Sequence, residues 1–103
     1  RNGWIADYND PCSFLDMWYT DGGNNDAQYS NPDYDAAIDA AKATSDPEER
    51  MKAFHEAEDI LIGQDSVLAP IYFYTQPYML NPDIDGMYYT PLGYFFFGYT
   101  SKK

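Results

Sequence analysis

The sequence predicts an α/β fold, and three observations predict it. Pro-marked helix starts recur through the first half of the chain. A β-branched and aromatic run comes after them, and the last third is cut into short extended pieces by Pro and Gly. The chain opens on Gly3-Trp4-Ile5-Ala6, which reads as the end of a strand running into the polar turn Asp7-Tyr8-Asn9-Asp10-Pro11. Asp10 can cap, and Pro11 suits the first helical position, where a missing N–H costs nothing. A short helix through Phe14, Leu15 and Trp18 is expected there, broken by Asp21-Gly22-Gly23-Asn24-Asn25-Asp26, a loop of turn formers.

The second start is Asn31-Pro32, with Tyr34, Ala37, Ile38 and Ala41 at helical spacing behind it. The third is Asp46-Pro47-Glu48-Glu49. Asp46 caps, and Glu49 stands where a capping box wants its acid. Met51, Phe54, Glu58 and Leu61 then trace one side, beside Ala57 and Ile60, and Gly63 ends the helix. From Val67 to Thr75 the pattern becomes β-branched and aromatic, the signature of a strand buried on most sides. Pro70 removes one ladder donor and belongs at an edge or bulge. Pro77, Asn81-Pro82, Asp85-Gly86 and Pro91 punctuate the last third of the chain, and the aromatic tail Tyr94–Tyr99 needs cover.

Composition narrows the function. Seventeen acidic residues against 6 basic give a net charge of −11. That excludes nucleic acid and anionic lipid as natural partners, since both need clustered Lys and Arg. The 11 Tyr, 6 Phe and 2 Trp must line a core or a binding cleft. Cys12 is alone, so neither an intrachain disulfide nor a multi-thiolate metal site can form. No apolar run reaches the roughly 18 residues of a membrane span.

Catalytic and metal motifs fail on inspection. His55-Glu56 has the start of a zinc-protease motif, but position 59 is Asp and the chain has no second His. "NPDIDG", residues 81 to 86, imitates a calcium loop, yet its twelfth position is Leu92 instead of Glu. No catalytic residue, metal ligand or cofactor is therefore expected. Asp7 remains, and it reads two ways. It is a loop acid that caps a turn or pairs with an Arg, or it is a carboxylate at a strand end, in an aromatic surround, facing a cation.

Four stretches, "GWIADYNDPCSFLDMW", "NNDAQYSNPDYDAAI", "DPEERMKAFHEAEDIL" and "APIYFYTQPYML", resemble in that order the C-terminal part of the oligopeptide-binding proteins. These are the extracellular solute-binding receptors (family 5) of peptide ABC importers. The resemblance covers essentially the whole chain. It implies a much longer protein with a two-lobed, periplasmic-binding-protein-like (type II) fold. Residues 1–66 would form the C-terminal part of the second, ligand-binding lobe. Residues 67–75 would be a hinge-crossing strand, and residues 76–103 a return segment packing on the first lobe.

The resemblance also implies a site. Backbone groups of Gly3, Trp4 and Ile5 would pair with an extended peptide, and Asp7 would bind its α-ammonium. Trp4 and Tyr8, with Tyr72 or Tyr74, would line side-chain pockets. Ile5 stands where some members carry Cys, so main-chain contact is implied there and side-chain chemistry is not. The implied partners are an oligopeptide and the membrane permease subunits, and the implied place is the periplasm or a cell-surface lipoprotein. Relatives in the same fold carry dipeptides, nickel chelates, haem or oligosaccharides. Two readings from other classes compete: a carbohydrate-binding module, on the Tyr and Trp content, and a small hydrolase acting through Asp7 and Asp10.

Overall fold

The computed structural model describes residues 3–103; Arg1 and Asn2, which open the expected 1–66 segment, lie outside the described residues. Helices come first. Asp10 accepts the Cys12 amide at 2.8 Å and starts α1 (Cys12–Leu15), which tightens into a 3-10 turn over Asp16–Trp18. The next loop is stapled by Asn25, buried at 8% exposure. Its amide donates to the carbonyls of Tyr19 and Tyr29, and its oxygen accepts the Tyr29 N–H. Burying an amide is tolerable only when it is bonded in this way.

Helix α2 (Pro32–Ala43) begins as expected: Asn31 accepts the Asp33 amide and Pro32 takes the first position. Tyr34, Ala37, Ile38 and Ala41 are all buried. Helix α3 (Pro47–Glu58) is capped by Asp46, which accepts the Glu48 and Glu49 amides at 2.9 and 3.0 Å. The expected capping box is not closed. The Glu49 carboxylate accepts the Thr44 hydroxyl instead, a donor that lies outside the capping-box pattern.

The inward face of α3 is Phe54 and Ala57, continued by Ile60 and Leu61; Met51 and Glu58 are exposed. Gly63 does not end the helix. A π-helical turn over Asp59–Gln64 carries the chain through it, and this widened turn buries both Ile60 and Leu61. One core results, built from the first helix, α2 and α3, with Tyr34, Phe54, Ile38 and Leu61 fully buried. Trp4, Leu15, Val67 and Leu68 pack against it from outside. The Tyr34 hydroxyl donates to the Leu15 carbonyl.

Strand formation differs from expectation at two places. Gly3–Ala6 forms neither helix nor strand, and the same is true of the run from Val67 to Thr75. The reason is common to both: a strand exists only through a partner's backbone, and none of the described residues supplies one. Ile71, Tyr72, Phe73 and Tyr74 are 87%, 74%, 99% and 79% exposed, where a strand buried on most sides was expected.

Beyond the extended run, two short antiparallel pairs nest. β1 (Ile84–Asp85) pairs with β4 (Ser101–Lys102), and between them β2 (Tyr88–Tyr89) pairs with β3 (Phe95–Phe96). Tyr88 stacks on Phe96 at 4.8 Å, and Tyr78 meets Phe95 edge-on at 5.2 Å. Gly86 has φ +81°, and a Cβ there would lie 2.0 Å from the Tyr99 carbonyl oxygen, so no other residue fits. The radius of gyration is 18.0 Å, against roughly 13 Å for a compact chain of this length. Helices and sheet are both present, and they occupy separate regions.

Candidate functional site

The expected site residues fall into two groups. Gly3, Trp4, Ile5, Asp7 and Tyr8 lie on the edge of the helical body, and Tyr72 and Tyr74 lie on the extended run. No hydrogen bond, ion pair or ring contact among the described residues joins the two groups.

The first group is held by its neighbours in sequence and in space. Trp4 packs on the core, and its indole N–H is buried without a partner among the described residues. Ile5, the next residue, is 67% exposed. Among the described residues, no backbone hydrogen bond engages Gly3, Trp4, Ile5 or Ala6. The chain then turns. The Asp7 amide donates to the hydroxyl of buried Ser13 at 2.8 Å, and the Asp10 amide donates to the Tyr8 carbonyl at 2.9 Å. With its N–H held in this way, Asp7 presents its carboxylate to solvent, in no ion pair among the described residues. The Tyr8 hydroxyl is pushed up to about 12, by partial burial first and then by the adjacent Cys12 thiol. It is a neutral hydrogen-bonding group across the physiological range.

Asp10 has a larger part than helix capping. Arg50, on α3, grips its carboxylate with two N–H groups, one at 2.8 Å, and stacks its guanidinium over the Phe54 ring. The Arg50 hydrogen bond holds the Asp10 carboxyl below the usual carboxylate range, against the opposing effect of partial burial. Nothing in the sequence pairs residues 40 positions apart, so this clamp was not legible. It also removes Asp10 from any carboxylate pair with Asp7, because both of its oxygens are already engaged.

The second group is simpler. Tyr72 and Tyr74 are two residues apart, with ring centroids 6.4 Å apart and planes tilted by 46°. Phe73, between them, is 99% exposed.

Among the described residues, no three His, Cys, Asp or Glu groups cluster closely enough to hold a metal ion. No helix among them is long and apolar enough to cross a membrane. His55 is an exposed helix residue, and Asn81–Gly86 is a polar turn in which Asn81 accepts the Asp83 amide at 2.9 Å. Fold and site together define a mixed α and β segment that offers open backbone among the described residues, a solvent-facing carboxylate and exposed rings.

Comparison with known proteins gives the family. No family model matches the chain. Over 86 residues the chain is 41% identical to the periplasmic oligopeptide-binding protein OppA of Haemophilus influenzae, a span of 84% of this chain and 16% of that protein. Over 94 residues it is 34% identical to the dipeptide-binding protein DppE of Bacillus subtilis, covering 91% of this chain and 17% of that protein. A crystal structure of a peptide-binding protein of a peptide ABC transporter superposes with a TM-score of 0.57 at 37% identity. That match covers 63% of this chain and 30% of the other. The chain is a relative of the oligopeptide- and dipeptide-binding proteins over this span, the family its motifs resemble. It spans about a sixth of the length of these curated relatives.

Proposed function

We propose that this chain works within an extracytoplasmic substrate-binding component of a peptide ABC importer, which captures oligopeptides in a cleft between two lobes. Residues 1–66 belong to the ligand-binding lobe, 67–75 cross the hinge, and 76–103 return to pack on the other lobe. One observation carries the reading. The backbone of Gly3–Ala6 makes no backbone hydrogen bond among the described residues and leads directly into a solvent-facing carboxylate at Asp7. Extended peptides bind by adding a strand to such backbone, and a fixed anion at its end suits an α-ammonium. Trp4 and Tyr8 flank that path, and Tyr72 and Tyr74 offer a paired aromatic wall from the crossing segment. The component is a receptor and not an enzyme, it works in the periplasm or on the cell surface, and permease subunits take the peptide from it.

The helices at Pro32–Ala43 and Pro47–Glu58 speak against a carbohydrate-binding β module, and the engagement of Asp10 speaks against a two-carboxylate hydrolase. Because the two groups of site residues do not meet, calorimetry of the 103-residue chain with a peptide mixture is expected to show no binding. Micromolar binding would mean that the site is complete within these residues.

The direct test uses a full-length receptor carrying this segment. Asp7→Asn keeps the shape and removes the charge, and should weaken peptide binding roughly thirty-fold to several-thousand-fold. Acetylating the peptide's N-terminus should cost a similar amount, and the two changes together little more than one, since they remove the same interaction. If Asp7→Asn binds free and acetylated peptides as tightly as the parent, Asp7 is only a turn residue.

A further inference from the structure

The point where the chain leaves the helical body is tied down by three side chains that the site does not use. Asp65 closes the π-helical turn, its amide donating to the Ile60 carbonyl at 2.9 Å. Its carboxylate accepts two hydrogen bonds on one oxygen, from the Tyr29 hydroxyl and from the Asn31 side-chain amide, both at 2.7 Å. These donors hold the Asp65 carboxyl below the usual carboxylate range, Asn31 more than Tyr29.

Both donors are themselves fixed. Asn31 uses its oxygen to cap α2 through the Asp33 amide, so its amide group can point only outward to Asp65. Tyr29 is anchored at both of its backbone polar groups by buried Asn25, and its ring lies edge-on against fully buried Tyr34 at 5.5 Å. The start of α2 and the exit of α3 are thereby joined across more than thirty residues of sequence.

The next residue shows that the join has a consequence. Ser66 has φ +51°, a left-handed conformation that is unfavourable for a residue with a Cβ. Such a conformation persists only where the surroundings hold it. The Val67 amide then donates back to the Leu61 carbonyl at 2.9 Å, and Val67 and Leu68 rest on the core before the extended run begins. Without Asp65 pinned, Ser66 could relax and the run would leave in many directions.

We infer that Tyr29, Asn31 and Asp65 form a latch that sets the direction in which residues 67–80 leave the helical body. The latch makes a preset arm of what would otherwise be a tether. It belongs to the helical body and its exit, so its failure would leave the peptide-binding reading standing, and the reverse holds as well.

Asn31→Asp tests it with little disturbance elsewhere, because Asp caps a helix as well as Asn does. The change sets a carboxylate against Asp65 and breaks the join by repulsion. Amide exchange followed by NMR should show the Asp65 and Val67 amides losing protection by about tenfold, the scale of one lost hydrogen bond to a charged group. The Phe54 and Ala41 amides, inside α3 and α2, should be unchanged. Adding Asp65→Asn to that variant exchanges the two groups and should restore the parent's protection. Tyr29→Phe, which removes one donor without adding charge, should give a smaller loss at the same two amides. Unchanged protection at Val67 in Asn31→Asp, a uniform loss through α2 and α3, or failure of the exchanged pair to recover would each overturn the latch.

Discussion

Residues 3–68 and residues 69–103 put the same kind of side chain to opposite uses. In the first region Tyr34, Ile38 and Phe54 are 0 to 1% exposed; in the second Ile71, Phe73 and Met79 are 87 to 100% exposed. Charge is divided the other way. The acids of the second region, Asp83 and Asp85, are balanced by Lys102 and Lys103, so the whole net charge of −11 falls on residues 1–68. The helical body thus has the surface expected of a protein in water. The extended arm has the composition of an interior in the position of a surface, and exposed apolar area on this scale marks an interaction face. That contrast suits the reading of residues 67–103 as chain that crosses to, and packs upon, a second lobe.

The comparison is broken most directly by removing one phenylalanine from each region. Phe54→Ala opens a cavity in the only buried core among the described residues and should cost about 3–5 kcal/mol. For a small body such as this, that is much of its stability, and the helical circular dichroism signal should melt far lower or be lost at room temperature. Phe73→Ala removes a ring that touches almost nothing and should leave the melting curve unchanged. Equal losses at the two positions would mean that the arm is packed in solution and that the division into two regions is wrong.

One region was legible and the other was not because they depend on different things. The helix starts at Asn31-Pro32 and Asp46-Pro47 are local: cap and proline act within three residues, and the structure keeps both. Tyr34, Ala37, Ile38 and Ala41 show their burial through spacing alone. The strand expected at 67–75 rests on β-branched and aromatic content, but a strand also needs a neighbour, which composition does not supply. At the site, the turn that presents Asp7 was legible from Asp-Tyr-Asn-Asp-Pro. Its supports were not. Ser13, Arg50 and the Tyr29–Asn31–Asp65 join act through tertiary contact, and ordinary surface residue types carry no mark of it. Gly63 misled because the chain runs through it in a π-helical turn, a rare continuation at a residue where helices commonly stop.

A smaller effect sharpens the boundary of the helical body. Asp10→Asn preserves the acceptor for the Cys12 amide but gives up the charge that Arg50 grips. The melting temperature should fall by less than in Phe54→Ala. The pH dependence identifies the cause. The folded Asp10 carboxyl titrates below its unfolded value, so its stabilisation is present above the ordinary carboxylate pKa and is lost as pH falls through the lowered one. Parent and variant should therefore differ at neutral pH and converge in acid. A constant difference down to the acid limit would assign the effect to shape and not to charge.

At the alkaline end the sign reverses. Burial first, and then the hydrogen bond to Asp65, push the Tyr29 hydroxyl up to about 12. A raised folded pKa means stability fully present below the unfolded value, about 10, and lost as pH climbs through the folded one. Denaturant midpoints should fall between those limits, and Tyr29→Phe should flatten part of that fall. An unaltered alkaline limb in Tyr29→Phe would show that the hydroxyl is not what titrates with unfolding.

The change expected to matter least to stability tests the arm most closely. Phe73 and Tyr99 are 99% and 81% exposed, so replacing both by Ser should alter the unfolding free energy by no more than about 0.5 kcal/mol. Association is a different matter. Residues 69–80 of the arm are apolar and uncharged, with unpaired backbone among the described residues, and such an edge pairs with whatever copy it meets. The charged body repels its neighbours, so contact between copies should run through the arm. Light scattering of the parent chain should report masses above the 11.8 kDa monomer, rising with concentration, and the double Ser variant should shift towards the monomer. Met51→Ser, which removes an exposed apolar side chain from the body, should leave the parent's association as it was. A parent that stays monomeric across a wide concentration range would mean that the aromatic arm covers itself, and its interior-like composition would then need no second lobe to account for it.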